Sequence, residues 1–390
     1  MSHSAPATPA STFWRRNFVA LVALAALAIA FVASLLPGFV DGPYARYISP
    51  TLIGALATLT NLAPFSVGEL VLGALLLRGA WLFGRGSVRL LRRRVTLLAV
   101  LTVFFTRALR WLAVIGAVFY WTWGLNYART PLVEVLGWQV HVAPREDHAA
   151  QADELTTLGE AAIAATNAAY REAFGTDDLD VPSAWPGSLA DLDAAVDVAL
   201  DRAIVDLGLP AAMQGRHGRS KVPLLSSLMS RMHVTGFFFP WTGEANLNGQ
   251  QPACFRPHVV AHEKAHQRGL GPEDEVEFLA FAAGVRADHA YQRYSAYLYA
   301  SVCLLRELNR VDAKASARLD GERPAGVRRD IDANSLFWTV RRGALTKITI
   351  TINDTYLKSQ GVKKGVQSYA ASTALIVAYA RARGGLVGGR

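Results

Sequence analysis

The chain has 390 residues, of which 52% are hydrophobic and 18% charged, and its apolar excess lies mainly in the first third, as is typical of a membrane-anchored protein. The formal net charge of +9 does not indicate a nucleic-acid partner, because much of the positive excess lies beside apolar segments, where it acts as a topology signal. The arginines concerned are Arg15, Arg16, Arg85, Arg89, Arg92, Arg93 and Arg94.

The first apolar segment, residues 18–40, reads FVALVALAALAIAFVASLLPGFV and is long enough to cross a hydrocarbon core of about 30 Å. It is longer than the apolar region of about 7–15 residues in a signal peptide, and no clear A-x-A site ends it, so we predict an uncleaved anchor. The second segment, residues 65–83, carries Glu69 and Arg78 near its ends, where long side chains can reach the membrane interface.

The third predicted crossing, residues 108–127, ends in WLAVIGAVFYWTWGLNY, whose aromatic residues are typical of an interfacial belt. Its start is ambiguous, because Arg107 and Arg110 separate it from an earlier apolar run. Residues 95–127 therefore form either one long tilted helix or an interfacial piece followed by the crossing. Segment 51–64 is too short to span a bilayer, and we predict that it lies against the membrane.

Residues 1–127 thus form a predicted membrane anchor with about three crossings. Arg15 and Arg16 precede the first crossing, and the loop GRGSVRLLRRR follows the second. The positive-inside rule places both in the cytoplasm, so the multi-pass topology places residues 128–390 on the extracytoplasmic side.

Residues 128–390 have the patterns of a mostly helical α+β domain. Periodicity and turn signals predict helices at 150–172, 188–207, 257–268, 272–308 and 366–382, with Ser188 as an N-cap. Strands are predicted at 234–239, 244–248 and 346–352, the last from TKITITI. The sequence has only two cysteines, Cys254 and Cys303, which are too few for a disulfide framework or a cysteine-based zinc ribbon. We expect them either to pair outside the cytoplasm or to remain buried thiols.

The sequence AHEKAHQRG at 261–269 contains an H-E-x-x-H motif. On a helix, His262 and His266 lie on one face and can bind one ion, while Glu263 lies beside them to activate a water molecule. Pro257 suits the first turn of this helix, and Gly269 suits its C-terminal stop. The motif therefore predicts two zinc ligands and a general base, although two surface histidines on an amphipathic helix would give the same five letters.

The third ligand has several candidates. His258 lies eight residues before the second motif histidine, about 12 Å along the axis, which is too far for one ion. Metzincins place a third histidine where this chain has Pro272. A carboxylate from GPEDEVEFLAFAAG remains, and Glu273 is preferred because its spacing to Glu277 looks like the E-x-x-x-D/N of gluzincins. Glu277 and Glu275 stay open as alternatives, since an acidic first turn is also ordinary for a helix.

Four segments resemble an uncharacterised family of bacterial membrane-anchored proteins, whose members are described only as zinc metallopeptidase candidates with a domain of unknown function. The segments are WGLNYARTPL at 123–132, GFFFPWTGEANLN at 236–248, AHEKAHQRG with EDEVEFLAF at 261–281, and INDTYLKSQGVKKGVQSY at 352–369. The resemblance implies the bacterial plasma (inner) membrane, a zincin-like (gluzincin) fold and a zinc site. The family tends to have Asn where this chain has Glu277, which makes a supporting role for Glu277 plausible and leaves Glu273 the better ligand.

Two further features bear on peptide hydrolysis. The segment GFFFPWTGEANLN could supply an edge strand that pairs with an extended substrate, or it could be an aromatic core strand. Tyr356 and Tyr369, in the last of the resembling segments, are candidates for stabilising the oxyanion, although ordinary packing is the simpler explanation for each of them.

The sequence therefore predicts a membrane-anchored zinc metallopeptidase in which His262, His266 and Glu273 bind Zn²⁺ and Glu263 is the general base. Its expected partners are a protein or peptide substrate and the lipid bilayer, with no nucleic acid. The alternative is a non-proteolytic zinc-containing membrane sensor or scaffold, in which a fourth protein ligand would replace water at the metal.

Overall fold

The fold is mostly helical, with a single two-stranded sheet among the described residues, and this confirms the helical part of the predicted fold class. The computed structural model describes residues 9–92, 96–139, 148–215, 217–360 and 371–386. Tyr369, one of the two tyrosines predicted as oxyanion donors, lies outside these ranges.

The first third of the chain contains five α-helices and a π-helical segment. They are α1 (Pro9–Ser34), α2 (Pro37–Phe39), the π-helix Val40–Ile48, α3 (Ser49–Thr60), α4 (Val67–Leu91) and α5 (Leu97–Thr122). Three segments are long and apolar enough to cross a membrane, namely Asn17–Ser34, Val67–Leu91 and Leu97–Thr122. This agrees with the three predicted crossings and indicates membrane association.

Two ambiguous segments of the first third now have definite structures. Helix α5 runs without interruption from Leu97 to Thr122, so the interpretation as one long helix is the correct one. Helix α3 has only 12 residues, in keeping with a segment too short to span a bilayer. Helix α5 packs along α1 through small residues, among them Ala23, Ala113 and Ala117, which allow the two backbones to approach closely.

The rest of the chain is a layered helical assembly with one β-hairpin. Its helices are α6 (Leu132–Val135), α7 (His148–Phe174), α8 (Leu189–Asp206), α9 (Ser226–Met232), α10 (Arg256–Gln267), α11 (Glu273–Gly284), α12 (Ala290–Val311), α13 (Ala313–Gly321), α14 (Ala325–Thr339), α15 (Ala344–Ser359) and α16 (Ala371–Arg383). Its strands are β1 (Gly236–Phe239) and β2 (Glu244–Leu247), which pair antiparallel with Gly236 opposite Leu247.

The predicted strand at 346–352 is wrong, because TKITITI lies within helix α15. The alternation of Thr and Ile favours a strand only when one face of the segment is buried, and here Ile348, Ile350 and Ile352 are all exposed. The threonine hydroxyls bond inside the helix instead, since Thr349 Oγ1 donates to Leu345 O at 3.0 Å. Tertiary context has overridden the local preference for strand.

The predicted helix 272–308 is in fact two helices, α11 and α12. The break falls where the side chain of His289 accepts a hydrogen bond from Tyr291 N at 3.2 Å and so caps the second helix. The cap predicted at Ser188 is confirmed, because Ser188 and Asp191 form a reciprocal capping box at the start of α8. Cys254 and Cys303 are both buried free thiols.

The core is centred on α11, whose side chains between Val276 and Ala283 are almost all fully buried. This helix contacts α8, α10, α12 and α16. Beyond Glu277 the helix is apolar on all sides, as expected for a central helix. The acidic first turn is positioned at the edge of the core, next to α10.

The β-hairpin and the end of α10 are fastened to the N-terminal helices. The Glu244 carboxylate accepts hydrogen bonds from Val67 N at 2.9 Å and Gly68 N at 2.6 Å, at the positive end of α4. Arg129, just beyond α5, donates to Gly269 O at 2.8 Å. The β-hairpin is thus attached to the start of α4, and the turn after α10 to the segment that follows α5.

Candidate metal centre

Helix α10 presents the H-E-x-x-H residues toward α11 and β1. Its opposite face is held in the protein by the fully buried Lys264, whose Nζ lies 3.0 Å from Asp193 Oδ1 on α8 and donates to Gly218 O at 2.6 Å. The helix ends at Gln267, and Gly269 follows with φ +91°, a conformation that strains other residues. Gly269 is therefore a helix stop, and the turn it makes returns the chain to the start of α11.

The structure brings together the three predicted ligand residues. His262 Nε2 lies 3.2 Å from Glu273 Oε2, and His266 Nε2 lies 3.7 Å from the same oxygen. The three residues form a group that could hold a metal ion, with ligand atoms all within 4.8 Å of one another. Zinc bonds of about 2.0–2.2 Å in a tetrahedral site separate ligand atoms by about 3.3–3.5 Å, so the spacing fits this ion.

The outer nitrogen of each histidine faces an acceptor that orients the ring. His266 Nδ1 lies 2.9 Å from Leu270 O, and His262 Nδ1 lies 3.5 Å from Glu277 Oε1. With the proton of each ring held on Nδ1, the Nε2 lone pairs would be free to bind an ion between the two rings and Glu273. The donor set of two imidazoles and one carboxylate, with their supporting acceptors, matches what zinc requires.

The other two candidate carboxylates, Glu275 and Glu277, lie elsewhere. Glu277 Oε2 is 2.6 Å from His258 Nε2, so Glu277 lies between two histidines and supports His262 from behind. His258 itself stacks on Tyr299 at a centroid distance of 3.9 Å. Glu275 points the other way and accepts a hydrogen bond from Leu132 N at 2.6 Å. Of the three candidates, only Glu273 lies with both motif histidines.

The charges of the cluster are strongly coupled. Burial would raise the pKa of Glu273, but His266 and His262 outweigh it and lower this pKa to about 2. Burial would lower the pKa of His262, but Glu277 and Glu273 hold it well above its usual value. Both neighbouring carboxylates therefore favour the positively charged form of the His262 imidazole.

Glu263 differs from its neighbours, because burial raises its pKa to about 7 against the opposing effect of His262 and His266. Its side chain is 4% exposed, and Oε2 is buried without a hydrogen-bond partner among the described residues. An unpartnered buried carboxylate oxygen is unusual and marks a place where a further group can bind. This carboxyl is poised to exchange a proton near neutral pH.

Gly236, the first residue of β1, is a site residue that the sequence interpretation missed. A Cβ atom there would lie 2.5 Å from Glu263 Oε1 and 2.9 Å from Asn246 O. Only glycine lets the strand pass this close to the carboxylate. The available signal was the glycine at the head of the aromatic run GFFF, where an isolated glycine indicates a close approach of the backbone.

A cavity of about 750 Å³ opens over the cluster. Its lining includes His262, Glu263, His266, Glu273, all of β1, and residues of α5 and α15. Trp123 at the end of α5 contacts the His266 ring edge-on at a centroid distance of 5.7 Å. The segment predicted as an edge strand thus forms one wall of the cavity.

Tyr356 on α15 also lines this cavity. Its hydroxyl donates to Tyr127 Oη at 3.2 Å, and burial raises its pKa to about 12, so the hydroxyl keeps its proton at neutral pH. Arg286 and His289, which follow the acidic cluster in sequence, lie outside the cavity lining: Arg286 is paired with Asp206, and His289 caps α12.

Comparison with known proteins assigns a family to the chain. A family model described as "Protein of unknown function (DUF3810)" matches residues 44–377, a range that includes α4, α5 and all the residues of the cluster. No curated protein and no solved structure gives a significant match. The match covers most of the sequence, and the chain therefore belongs to the DUF3810 family, a family of uncharacterised function.

Proposed function

We propose that this protein is a membrane-anchored zinc metallopeptidase, with His262, His266 and Glu273 as the zinc ligands and Glu263 as the general base. The observation that carries the proposal is the convergence of three ligand atoms beside a buried carboxyl with a pKa of about 7, at an open cavity. We further propose that residues 128–390 form a zincin-like domain of the gluzincin type. The motif helix, the carboxylate from the following helix and the β-strand along the cavity support this assignment.

Zinc bound at this site would supply a Lewis acid that polarises a peptide carbonyl and lowers the pKa of water. The chain's own residues would do the rest. Glu263 takes the proton of the attacking water and passes it to the leaving amine, a role that suits a carboxyl with a pKa near 7. Tyr356 lines the same cavity with a protonated hydroxyl, which would donate toward the developing oxyanion after giving up its hydrogen bond to Tyr127.

The cavity favours an enzyme over the alternative of a zinc-containing sensor or scaffold. A structural zinc site is closed by a fourth protein ligand, whereas catalytic sites keep one position open. Among the described residues, the metal-binding group has three members and borders the cavity. The extracytoplasmic orientation stays a prediction from the arginine pattern, and labelling an introduced surface cysteine from each side of the membrane would test it.

The proposal is tested by metal analysis and peptide cleavage on the purified full-length protein. We expect about one zinc per chain, hydrolysis within a mixed peptide library, and loss of both on treatment with a chelator, with recovery on adding zinc. A protein that binds zinc tightly but cleaves no peptide would favour the sensor or scaffold. A protein that binds no zinc would contradict both functions.

The third ligand can be identified by replacing single carboxylates. Glu273→Gln should weaken zinc binding by more than about 100-fold, because loss of a partner that only positions a ligand already costs about 10–100-fold. Glu275→Gln is the matched control on the same helical turn: its amide oxygen can still accept from Leu132 N, so zinc binding should stay within about twofold. Competition with a chromogenic chelator measures the zinc affinity of both variants. Loss of zinc in Glu275→Gln would overturn the proposal that Glu273 is the third ligand.

Zinc affinity should fall as the pH is lowered. The pKa of His262 in the metal-free protein is held well above its usual value by Glu277 and Glu273, so below that pKa zinc must displace a proton. The affinity should then drop about tenfold for each pH unit. Glu277→Gln removes one of the two carboxylate charges that raise the pKa of His262. In this variant the decrease in zinc affinity should therefore begin at a lower pH, and the affinity should be lower overall. Chelator competition between about pH 5.5 and 9 checks this, and a flat profile would contradict it.

A further inference from the structure

Apart from the metal cluster, the walls of the cavity are mainly apolar and aromatic, with His233, Thr235, Thr349 and Asn353 as further uncharged polar residues. Among the described lining residues, the only Asp, Glu, Lys or Arg side chains are Glu263, Glu273 and Glu277, all of which belong to that cluster. The apolar and aromatic side chains are Phe119, Trp123, Tyr127, Met232, Val234, Phe237, Phe238, Phe239, Pro240, Trp241, Val259, Ile350, Ile352 and Tyr356. A charged substrate side chain would lose its hydration there and gain no opposite charge outside the cluster.

Strand β1 has an edge that its partner β2 leaves unpaired. Asn248 N donates to Thr235 O at 2.9 Å, and Gly243 N donates to Phe239 O at 2.9 Å, so these residues direct their backbone groups toward β2 and its turn. By the alternation of an antiparallel pair, Gly236 and Phe238 direct theirs to the other side. On its own far side, β2 continues to Lys221 through an isolated bridge. Among the residues that the structure describes, no other strand pairs with the outer edge of β1, which lines the cavity.

Helix α15 lines the same cavity as β1. Near its start, Thr346 Oγ1 donates to Arg231 O at 3.1 Å, and near its end Tyr356 reaches Tyr127 beyond α5. The helix therefore runs from the end of α9 to the end of α5 and contributes Ile350 and Ile352 to the lining. A chain bound on the β1 edge would have its side chains between aromatic residues and these isoleucines.

From these three observations we infer that the cavity binds an extended polypeptide segment with apolar side chains, which pairs with the edge of β1. The inference deepens the proposed function, on which it rests, by naming the substrate class of the same site. An extended segment satisfies the free backbone groups of Gly236 and Phe238, and its apolar side chains gain from contact with the lining. Gly236 lies against Glu263, so this pairing brings the bound backbone to the catalytic carboxyl.

The test measures binding separately from cleavage. Zinc-loaded, full-length Glu263→Gln protein is titrated with labelled peptides of one backbone that carry Leu or Phe, Asp, or Lys at the two central positions, and binding is followed by fluorescence anisotropy. The apolar peptides should bind at least about tenfold more tightly than the Asp and Lys peptides. Equal affinity across the set would overturn the inference.

A charge placed in the wall should change the selectivity. Ile350→Lys in the Glu263→Gln background should tighten binding of the Asp peptide and weaken that of the Lys peptide, so that their ratio shifts by at least about tenfold. Ile348→Lys is the matched control, since it makes the same change on the same exposed helix at a residue outside the cavity lining. An unchanged ratio in Ile350→Lys, or an equal shift in both variants, would overturn the inference.

Cleavage assays on the protein that retains Glu263 distinguish failure of the proposed peptidase activity from failure of the proposed substrate class. Cleavage without preference for apolar flanking residues would refute the substrate class and leave the peptidase intact. Selective binding of apolar peptides, with no cleavage of any of them by the zinc-loaded protein, would refute the peptidase and leave the binding site.

Discussion

Glu263→Gln should reduce peptide hydrolysis by at least about 10³-fold while leaving zinc bound. General-base catalysis contributes about 10²–10⁴-fold, and an amide of the same shape cannot accept the proton of the attacking water. The residue is separate from the group formed by His262, His266 and Glu273, so its loss does not remove a ligand. Initial rates on a cleaved library peptide, with zinc content measured on the same samples, give both quantities.

The control for this experiment is Glu275→Gln, which makes the same change in a buried carboxyl that faces Leu132 instead of the cavity. It should keep more than half of the activity. If the Glu263→Gln variant retained a tenth or more of the activity, Glu263 would not be the general base. Loss of zinc in that variant would instead make Glu263 a ligand, and the proposed arrangement would be wrong.

Most of the cluster could be predicted from sequence because it depends on local geometry. Two histidines four residues apart share a helical face, and a glycine stop followed at once by an acidic helix start leaves only a short turn between His266 and Glu273. The three long apolar helices could be predicted equally well, since the length and composition of an apolar segment are enough to identify it. In both cases the signal lies within a short window of the chain.

The features that sequence could not supply depend on packing between distant segments. Gly236 approaches Glu263 from 27 positions earlier in the chain, and Glu277 meets His258 from the following helix. The sequence of residues 346–352 predicts a strand instead of part of helix α15, because no local signal shows that the isoleucines of this segment are all exposed. These arrangements decide which group supports the metal ligands and what the cavity wall is made of, so the substrate class could be argued only after the fold.

Attachment to the apolar N-terminal helices also contributes to the geometry of the site. Trp123, immediately after α5, packs against His266, and Trp241, after β1, donates to Ile115 O of α5 at 3.3 Å. Arg129 holds the carbonyl of Gly269, in the turn that leads from His266 to Glu273. The apolar helices therefore help to fix the positions of the proposed ligands, and the full-length protein is the appropriate material for each of these experiments.

Lys264→Ala should destabilise the protein by about 3–5 kcal/mol, the usual cost of removing one partner from a buried ion pair. Lys264 is fully buried, with Nζ 3.0 Å from Asp193 Oδ1 and 3.2 Å from Asp197 Oδ2. Its removal leaves Asp193 without this cation in a buried site and weakens the attachment of α10 to α8, where the ion pair of Arg268 with Asp197 remains. At about 2–4 °C for each kcal/mol, the unfolding midpoint of the zinc-free protein should fall by roughly 6–20 °C.

The matched control is Lys358→Ala, which removes a lysine from the exposed pair with Asp354, where Nζ and Oδ2 are 2.6 Å apart. Exposed pairs of this kind contribute about 0.3–0.5 kcal/mol, so the midpoint should change by no more than about 2 °C. Tryptophan fluorescence during heating compares the two variants. Equal midpoints would mean that Lys264 does not hold α10 in place, and the rigidity of the His262 and His266 pair would then have to come from α11 and the β-hairpin alone.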